Sequence, residues 1–196
     1  KLEKAIFACG CFWGAQHQFE RAKGVIRSEV GYIGGDKENP TYQEVKAHTT
    51  GHAEATLVEF DAEQTTYTDL CKLFFEIHDP AQTDGQGPDI GPQYRSEIFY
   101  LNEAQKQQAE AVIALLREKG YEVNTRLTPA TVFWPAEDYH QHYYDKTGGE
   151  PYCHIRAENS ESPTGLLPVI RLFFAGICQG LLPPDACNTF HRQETG

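Results

Sequence analysis

The spacing of apolar residues, which switches between every second position and every third or fourth, limits the fold of this 196-residue chain more than any other feature. Ala5-Ile6-Phe7-Ala8-Cys9 reads as a buried strand. Ala15, Phe19 and Ala22, at i, i+4 and i+7, then mark one face of a helix that Gly24 ends, so Cys11 falls at a helix N-terminus. Residues 25–33 read as a strand stopped by Gly34-Gly35, and 36–51 as polar loop with a short helical piece. Residues 52–60 alternate, with Ala53, Ala55 and Leu57 on one side and Glu54, Thr56, Val58 and Phe60 on the other, which is a strand. Thr68 is placed to cap a helix carrying Leu70, Leu73, Phe74 and Ile77. Residues 84–92, with three Gly and two Pro, read as a stiffly turned loop before a strand over 94–101. Asn102 and Gln105 resemble a capping box for a helix with the stripe Ala109, Val112, Ile113 and Leu116, which Gly120 ends. Val123, Thr125 and Leu127 suggest a strand, and Pro135, Glu137 and Asp138 begin a last helix reaching about Lys146. Strands and helices that mix without strict alternation point to an α+β fold, a two-layer sandwich of helices on a mixed, mostly antiparallel sheet.

Charge narrows the partners. There are 17 Lys+Arg against 28 Asp+Glu, a net charge of −11, and no basic cluster, so a surface that tracks nucleic acid is excluded. A domain of this size buries about 70% of its unfolded surface and needs no metal or disulfide staple. Six Cys are too few for a secreted disulfide scaffold, and thiol chemistry or packing is their expected use. The start of the chain reads as charge followed by a short apolar strand and not as a signal peptide; a cytoplasmic location and a monomer are expected. The run 165–184 has Arg171 as its only charge, yet it is not read as a membrane span. Arg171 near its middle would cost about 2.5–3.5 kcal/mol, and Pro168, Gly176 and Gly180 weaken it further. One domain over 1–155 and a C-terminal tail over 156–196 are expected.

Gly10-Cys11-Phe12-Trp13-Gly14 puts a thiol at the first turn of a helix beside two large aromatics. The unpaired N–H groups and positive potential there favour thiolate over thiol, and Gly on both sides would let a substrate approach closely. The competing reading is that Cys11 is a small buried hydrophobe and its aromatic neighbours are core.

GCFWG, with GYIGG at 31–35, TGHAE at 50–54, HDPAQ at 78–82, GPDIGPQYRS at 87–96, AEDYHQHYY at 136–144 and GGEPYCHI at 148–155, resembles the peptide methionine sulfoxide reductases of the A class. The resemblance spans about residues 5–155 and implies a ferredoxin-like core. It implies reduction of methionine S-sulfoxide, free or in proteins, with no cofactor and no metal. By that resemblance Cys11 is the nucleophile and Glu54 the acid that protonates the sulfoxide oxygen, which requires a buried, apolar setting. Its strand neighbours Ala53 and Ala55 are consistent with that setting. Tyr32 and Tyr94 correspond to phenols that bond the sulfoxide oxygen, Phe12 and Trp13 to the pocket for the substrate methyl group, and Asp89 to a supporting carboxylate. Attack leaves Cys11 as a sulfenic acid, Cys153 corresponds to the thiol that resolves it, and thioredoxin would reduce the disulfide. Cys178 or Cys187 could relay that disulfide outward, although packing is the default use of both. Cys9 and Cys71 read as packing.

Two rivals stand beside this. Cys9-Gly10-Cys11-Phe12-Trp13 superficially resembles the nucleophile run of papain-like thiol hydrolases, with His140, His142 or His154 as the base. A non-catalytic metal module would draw on Cys9, Cys11, His140, His142, Cys153 and His154, although their spacing lacks paired Cys-x2-Cys sets.

Overall fold

A computed structural model describes residues 1–152 and 154. Strand β1 (Leu2–Cys9) is buried over its last five residues, which is why 5–9 is a continuous apolar run rather than an alternating one. It pairs antiparallel with β3 (Ala53–Asp61) on one side and β6 (Ser96–Tyr100) on the other. β3 pairs antiparallel with β2 (Val25–Ile33), and β2 with the two-residue β8 (Trp134–Pro135). Parallel pairing enters only where β7 (Arg126–Pro129) joins β6, and the sheet order is β7-β6-β1-β3-β2-β8. The expected mixed, mostly antiparallel sheet is therefore present.

Helix α1 (Phe12–Glu20) links β1 to β2, which run parallel with β3 between them; α3 (Tyr67–Glu76) lies in the link from β3 to β6, with β1 between. The two split β-α-β units interlock, and the crossover α1 starts at the end of the central strand β1. That start is where Cys11 sits.

One face of the sheet carries the helices. Ala5, Phe7 and Cys9 of β1 pack with Ala15 and Phe19 of α1, Leu70 and Phe74 of α3, and Val112 and Leu116 of α4 (Glu103–Glu118). Phe7 stacks on Phe19 at 5.0 Å between ring centroids. On the other face Ile6, Ala8, Ile33, Ala53, Ala55 and Phe99 are covered by Ala130 and Phe133 of the β7–β8 connection. None of the helices among the described residues is long and apolar enough to cross a membrane. The tail, 156–196, and with it the run 165–184, lies outside the described residues.

Several local expectations change. The cap of α3 is Thr66, whose hydroxyl accepts from the Asp69 N–H at 3.1 Å; Thr68 donates to Gln108 instead. Capping needs an extended residue three before the free N–H, and Thr66 meets that condition. Asn102 does accept from the Gln105 N–H, but Gln105 returns to the Leu101 N–H and also donates to the Lys4 carbonyl, tying α4 to β1. The loop over 84–92 contains a hairpin of β4 (Gly85–Gln86) and β5 (Asp89–Ile90). A 3-10 turn over Pro92–Tyr94 delays the next strand to Ser96, and β7 begins at Arg126 rather than near Val123.

The last helix is broken into β8, a 3-10 turn (Asp138–His140) and α5 (Tyr143–Thr147), with His142 left-handed at φ 54° between them. Gln141 explains the break. Its side-chain amide accepts from the Val30 N–H at 2.9 Å and donates to the Val30 carbonyl at 2.8 Å, so the chain stays bonded to the edge of β2 where a continuous helix would leave it. The short helix in the 36–51 loop is α2 (Tyr42–Lys46), closed by a capping box between Thr41 and Glu44.

Candidate functional site

Cys11 is the N-cap of α1, with φ −56° and ψ 119°, and its carbonyl accepts the Ala15 N–H at 3.4 Å. The next N–H, that of Phe12, donates to Glu54 Oε2 at 3.2 Å. The two residues expected to perform the chemistry are thus brought to one helix end from α1 and β3. Cys11 and Glu54 are each 2% exposed.

The flanking glycines do not leave open space. Gly10 is at φ +101°, and a Cβ there would stand 2.7 Å from Gln86 Cβ; a Cβ on Gly14 would stand 2.6 Å from His154 Nδ1. The close approach that glycine permits is made by the protein's own Gln86 and His154, not by a substrate. Gln86, fully buried, is held in turn by a pair of bonds with the backbone of Asp79.

Glu54 is buried as expected, but not by Ala53 and Ala55. Side chains alternate along a strand, so those two alanines belong to the opposite face with Ile6 and Phe99. On its own face Glu54 lies beside its register partner Tyr32 of β2. Tyr32 is 0% exposed, and burial first, then the Glu54 and Glu137 carboxylates, push its phenol far above the ordinary tyrosine range. It stays neutral and can donate a proton in a hydrogen bond. It donates that bond to Glu137 Oε2 at 2.8 Å, while Glu137 Oε1 accepts the Tyr42 N–H at 2.8 Å.

Cys11, Phe12, Trp13 and Tyr32 form one apolar cluster with Val30, Tyr42, Ala136 and Tyr144. Phe12 lies 5.8 Å from Tyr32 between centroids. Trp13 stacks on Tyr143 at 3.8 Å and 6°, and its indole N–H donates to His140 Nδ1 at 3.0 Å.

Asp89 sits in the β4–β5 hairpin and is reached by the Tyr152 hydroxyl, 3.4 Å from Oδ2. Tyr94, 8% exposed, ends the 3-10 turn that packs against β3. His154 is fully buried, with Nε2 bonded to the Cys9 carbonyl at 2.7 Å and its own carbonyl accepting from Gln18 at 2.5 Å. Burial pulls its pKa down to about 4, so the ring is neutral and donates. Tyr152 thus contacts the β4–β5 hairpin, and His154 packs at the start of α1. Cys153, Cys178 and Cys187 lie outside the described residues.

Sequence reasoning passed over Gln86, Glu137 and Gln141. An ordinary polar residue in a loop carries no local sign of a partner across the fold; the signal that existed was their place within HDPAQ-to-GPDIG and AEDYHQ.

The rivals lose their geometry. Of the three candidate bases, His140 accepts from Trp13, His154 bonds the Cys9 carbonyl, and His142 Nδ1 lies 2.7 Å from Glu20. Those same contacts scatter the ligand set of the metal reading. Among the described residues, donors within 4.8 Å of one another belong instead to Glu20, His142 and Asp145. Cys9 and Cys71 are buried in the helix-side core, where burial raises both thiols, Cys71 to about 12, and packing is their role.

The chain matches the family described as peptide methionine sulfoxide reductase over residues 3–165. Peptide methionine sulfoxide reductase MsrA of Geobacter sulfurreducens is 48% identical over 151 residues, 76% of this chain and 93% of its own. The protein of that name from Acinetobacter baumannii (strain AYE) is 46% identical over 154 residues, 79% of this chain and 89% of its own. Among solved structures, Mxr1 from Saccharomyces cerevisiae in reduced form aligns with a TM-score of 0.76 at 32% identity, covering 81% of this chain and 93% of Mxr1. Methionine sulfoxide reductase A of Corynebacterium diphtheriae aligns with a TM-score of 0.69 at 34% identity, covering 81% of each chain. With a thiol at the helix start, a carboxyl bonded to that helix and an aromatic cluster around both, this chain belongs to the peptide methionine sulfoxide reductase family.

Proposed function

We propose that this protein reduces methionine S-sulfoxide, free or in proteins, to methionine, with Cys11 as the nucleophile. The observation that carries the reading is the bond from the Phe12 N–H to Glu54, which puts a buried carboxyl at the helix end that Cys11 caps. The Cys11 thiolate, favoured by the helix N-terminus, attacks the sulfoxide sulfur. Glu54 delivers a proton to the departing oxygen, and the Tyr32 and Tyr94 phenols bond that oxygen as charge develops. The substrate S–O bond and the transient bond between Cys11 and the methionine sulfur then break as the protonated oxygen passes to the Cys11 sulfur: methionine sulfur gains two electrons, Cys11 loses two, methionine leaves, and a sulfenic acid remains. Phe12 and Trp13 receive the methyl group and sort the epimers by shape, and Asp89 steadies Tyr152 over the site.

Cys153 then condenses with the sulfenic acid, releasing water and forming a disulfide. The residues either side of it, Tyr152 and His154, contact Asp89 and Gly14. Cys11 is 2% exposed, so substrate reaches the sulfur by displacing side chains packed around it. Mxr1 has been solved in complex with Trx2, and we assign thioredoxin as the reductant here on that analogy. The cytoplasm, where thioredoxin operates, is the compartment that suits the cycle.

The test is mass spectrometry of the protein after a single turnover without reductant. Production of methionine together with a Cys11–Cys153 linked peptide is expected. Methionine produced while Cys11 remains an unmodified thiol would overturn the reading.

A further inference from the structure

The proposed chemistry uses the phenol of Tyr32 but leaves Glu137 without a task, although Glu137 is the group to which that phenol is bonded. Its two carboxylate oxygens do two separate things: Oε2 accepts the Tyr32 hydroxyl at 2.8 Å, and Oε1 accepts the backbone N–H of Tyr42 at 2.8 Å. Tyr42 is the first residue of α2, so the carboxylate is anchored to a helix start and does not swing with the phenol. Glu137 is itself fixed from behind. Ala136 donates its N–H to the Val30 carbonyl at 2.9 Å, Gln141 bonds both backbone groups of Val30, and His140 Nε2 lies 3.8 Å from Glu137 Oε2. The ring that Glu137 holds is closed in by Phe12 on one side and faces Glu54 across the β2–β3 register.

We infer that Glu137 is a positioning residue for the reduction: it fixes the phenol oxygen of Tyr32 beside Glu54. This inference rests on the reading of Tyr32 as a ligand of the sulfoxide oxygen. A phenol has one proton, and in the substrate-free protein that proton points at Glu137. Glu137 and the ring's contacts with Phe12 set the phenol oxygen in place before substrate arrives; when the sulfoxide oxygen arrives, the hydroxyl hydrogen turns from Glu137 to it. Without the carboxylate the phenol loses the hydrogen bond that anchors it, and a misplacement of about 1 Å at a reacting centre costs on the order of a hundredfold in rate.

A double-mutant cycle reads this directly. Glu137→Ala is expected to lower kcat/KM for methionine sulfoxide by about tenfold or more, and Glu137→Gln to restore most of it, because an amide can still accept from Tyr42 while donating to the phenol oxygen. In a Tyr32→Phe background, Glu137→Ala is expected to cost less than about twofold, since a residue acting through a phenol has nothing left to act on. If Glu137→Ala does not fold, Glu137→Asp withdraws the carboxylate by one methylene and is run through the same cycle with the same expectation. Equal losses in both backgrounds, or no loss in the wild-type background, overturn the inference. A wild-type protein that does not reduce methionine sulfoxide overturns the parent reading and this one together, and that outcome is visible before any variant is compared.

Discussion

Phe12 and Glu54, 42 residues apart, meet through a hydrogen bond of 3.2 Å from the backbone of one to the carboxylate of the other. Glu54 thereby fills one of the orphan donors at the start of α1 and stands next to the residue that caps it. Glu54→Gln keeps an oxygen for that N–H but has no proton of carboxyl acidity to give. Turnover of methionine sulfoxide should fall by about 10²–10⁴-fold with the thermal midpoint nearly unchanged. Turnover within a few-fold of wild type would remove Glu54 from the role of acid. Cys11→Ser, measured alongside, should have none.

Cys153→Ser separates the two halves of the cycle. Without the second thiol, about one equivalent of methionine should form in a burst, after which the enzyme stalls as a sulfenic acid that dimedone traps on Cys11. Sustained turnover with thioredoxin at the full rate would transfer the resolving role to Cys178 or Cys187.

The two glycines beside Cys11 should respond differently to the same substitution. Gly10→Ala places a side chain at φ +101° and 2.7 Å from Gln86, so stability should fall by about 1–3 kcal/mol in urea unfolding. Gly14→Ala meets the ring of His154, the chain neighbour of Cys153, at 2.6 Å. The cost there should appear as slower disulfide formation after the burst, with a smaller loss of stability. Identical behaviour of the two variants would contradict this placement of His154.

Acid should weaken the fold through two buried histidines. Burial lowers His78 to about 3 and His154 to about 4, whereas both titrate near 6.5 when unfolded. Between those values the unfolded chain binds the extra protons. Stability is therefore complete above about pH 6.5 and falls as the pH drops toward 4, by at most about 1.4 kcal/mol per pH unit for each ring. His78 bridges the Phe74 carbonyl and the Ser96 hydroxyl, so His78→Gln should lower stability at pH 7 yet flatten its fall between pH 6.5 and 4.5. An unchanged slope in denaturant melts would show that His78 is not one of the titrating groups.

Native alkylation should distinguish working thiols from packed ones. Cys9 and Cys71 are fully enclosed with raised pKa values, so iodoacetamide should leave both unmodified until the protein unfolds. Rapid labelling of either in the folded protein would be inconsistent with the core described.

Local signals in the sequence determined the elements and the address of the Cys11 thiol. Apolar period and cap residues place β2 and α4 within a residue or two and find β1 and α1, although β1 begins three residues before its apolar run and α1 ends at Glu20, ahead of Gly24; these signals depend on near neighbours, and the same locality puts Cys11 at the head of α1. Tertiary structure alone decided what surrounds that thiol. Glu54 is enclosed by the α1 side of the sheet and not by Ala53 and Ala55, since adjacent strand residues face opposite ways. Glu137, Gln86 and His154 reach the site across the fold, and Gln141 breaks the last helix by pairing with Val30, 111 residues away. Such bonds form when packing closes water out and leaves buried donors and acceptors to find one another, and no spacing along the chain records which ones will meet.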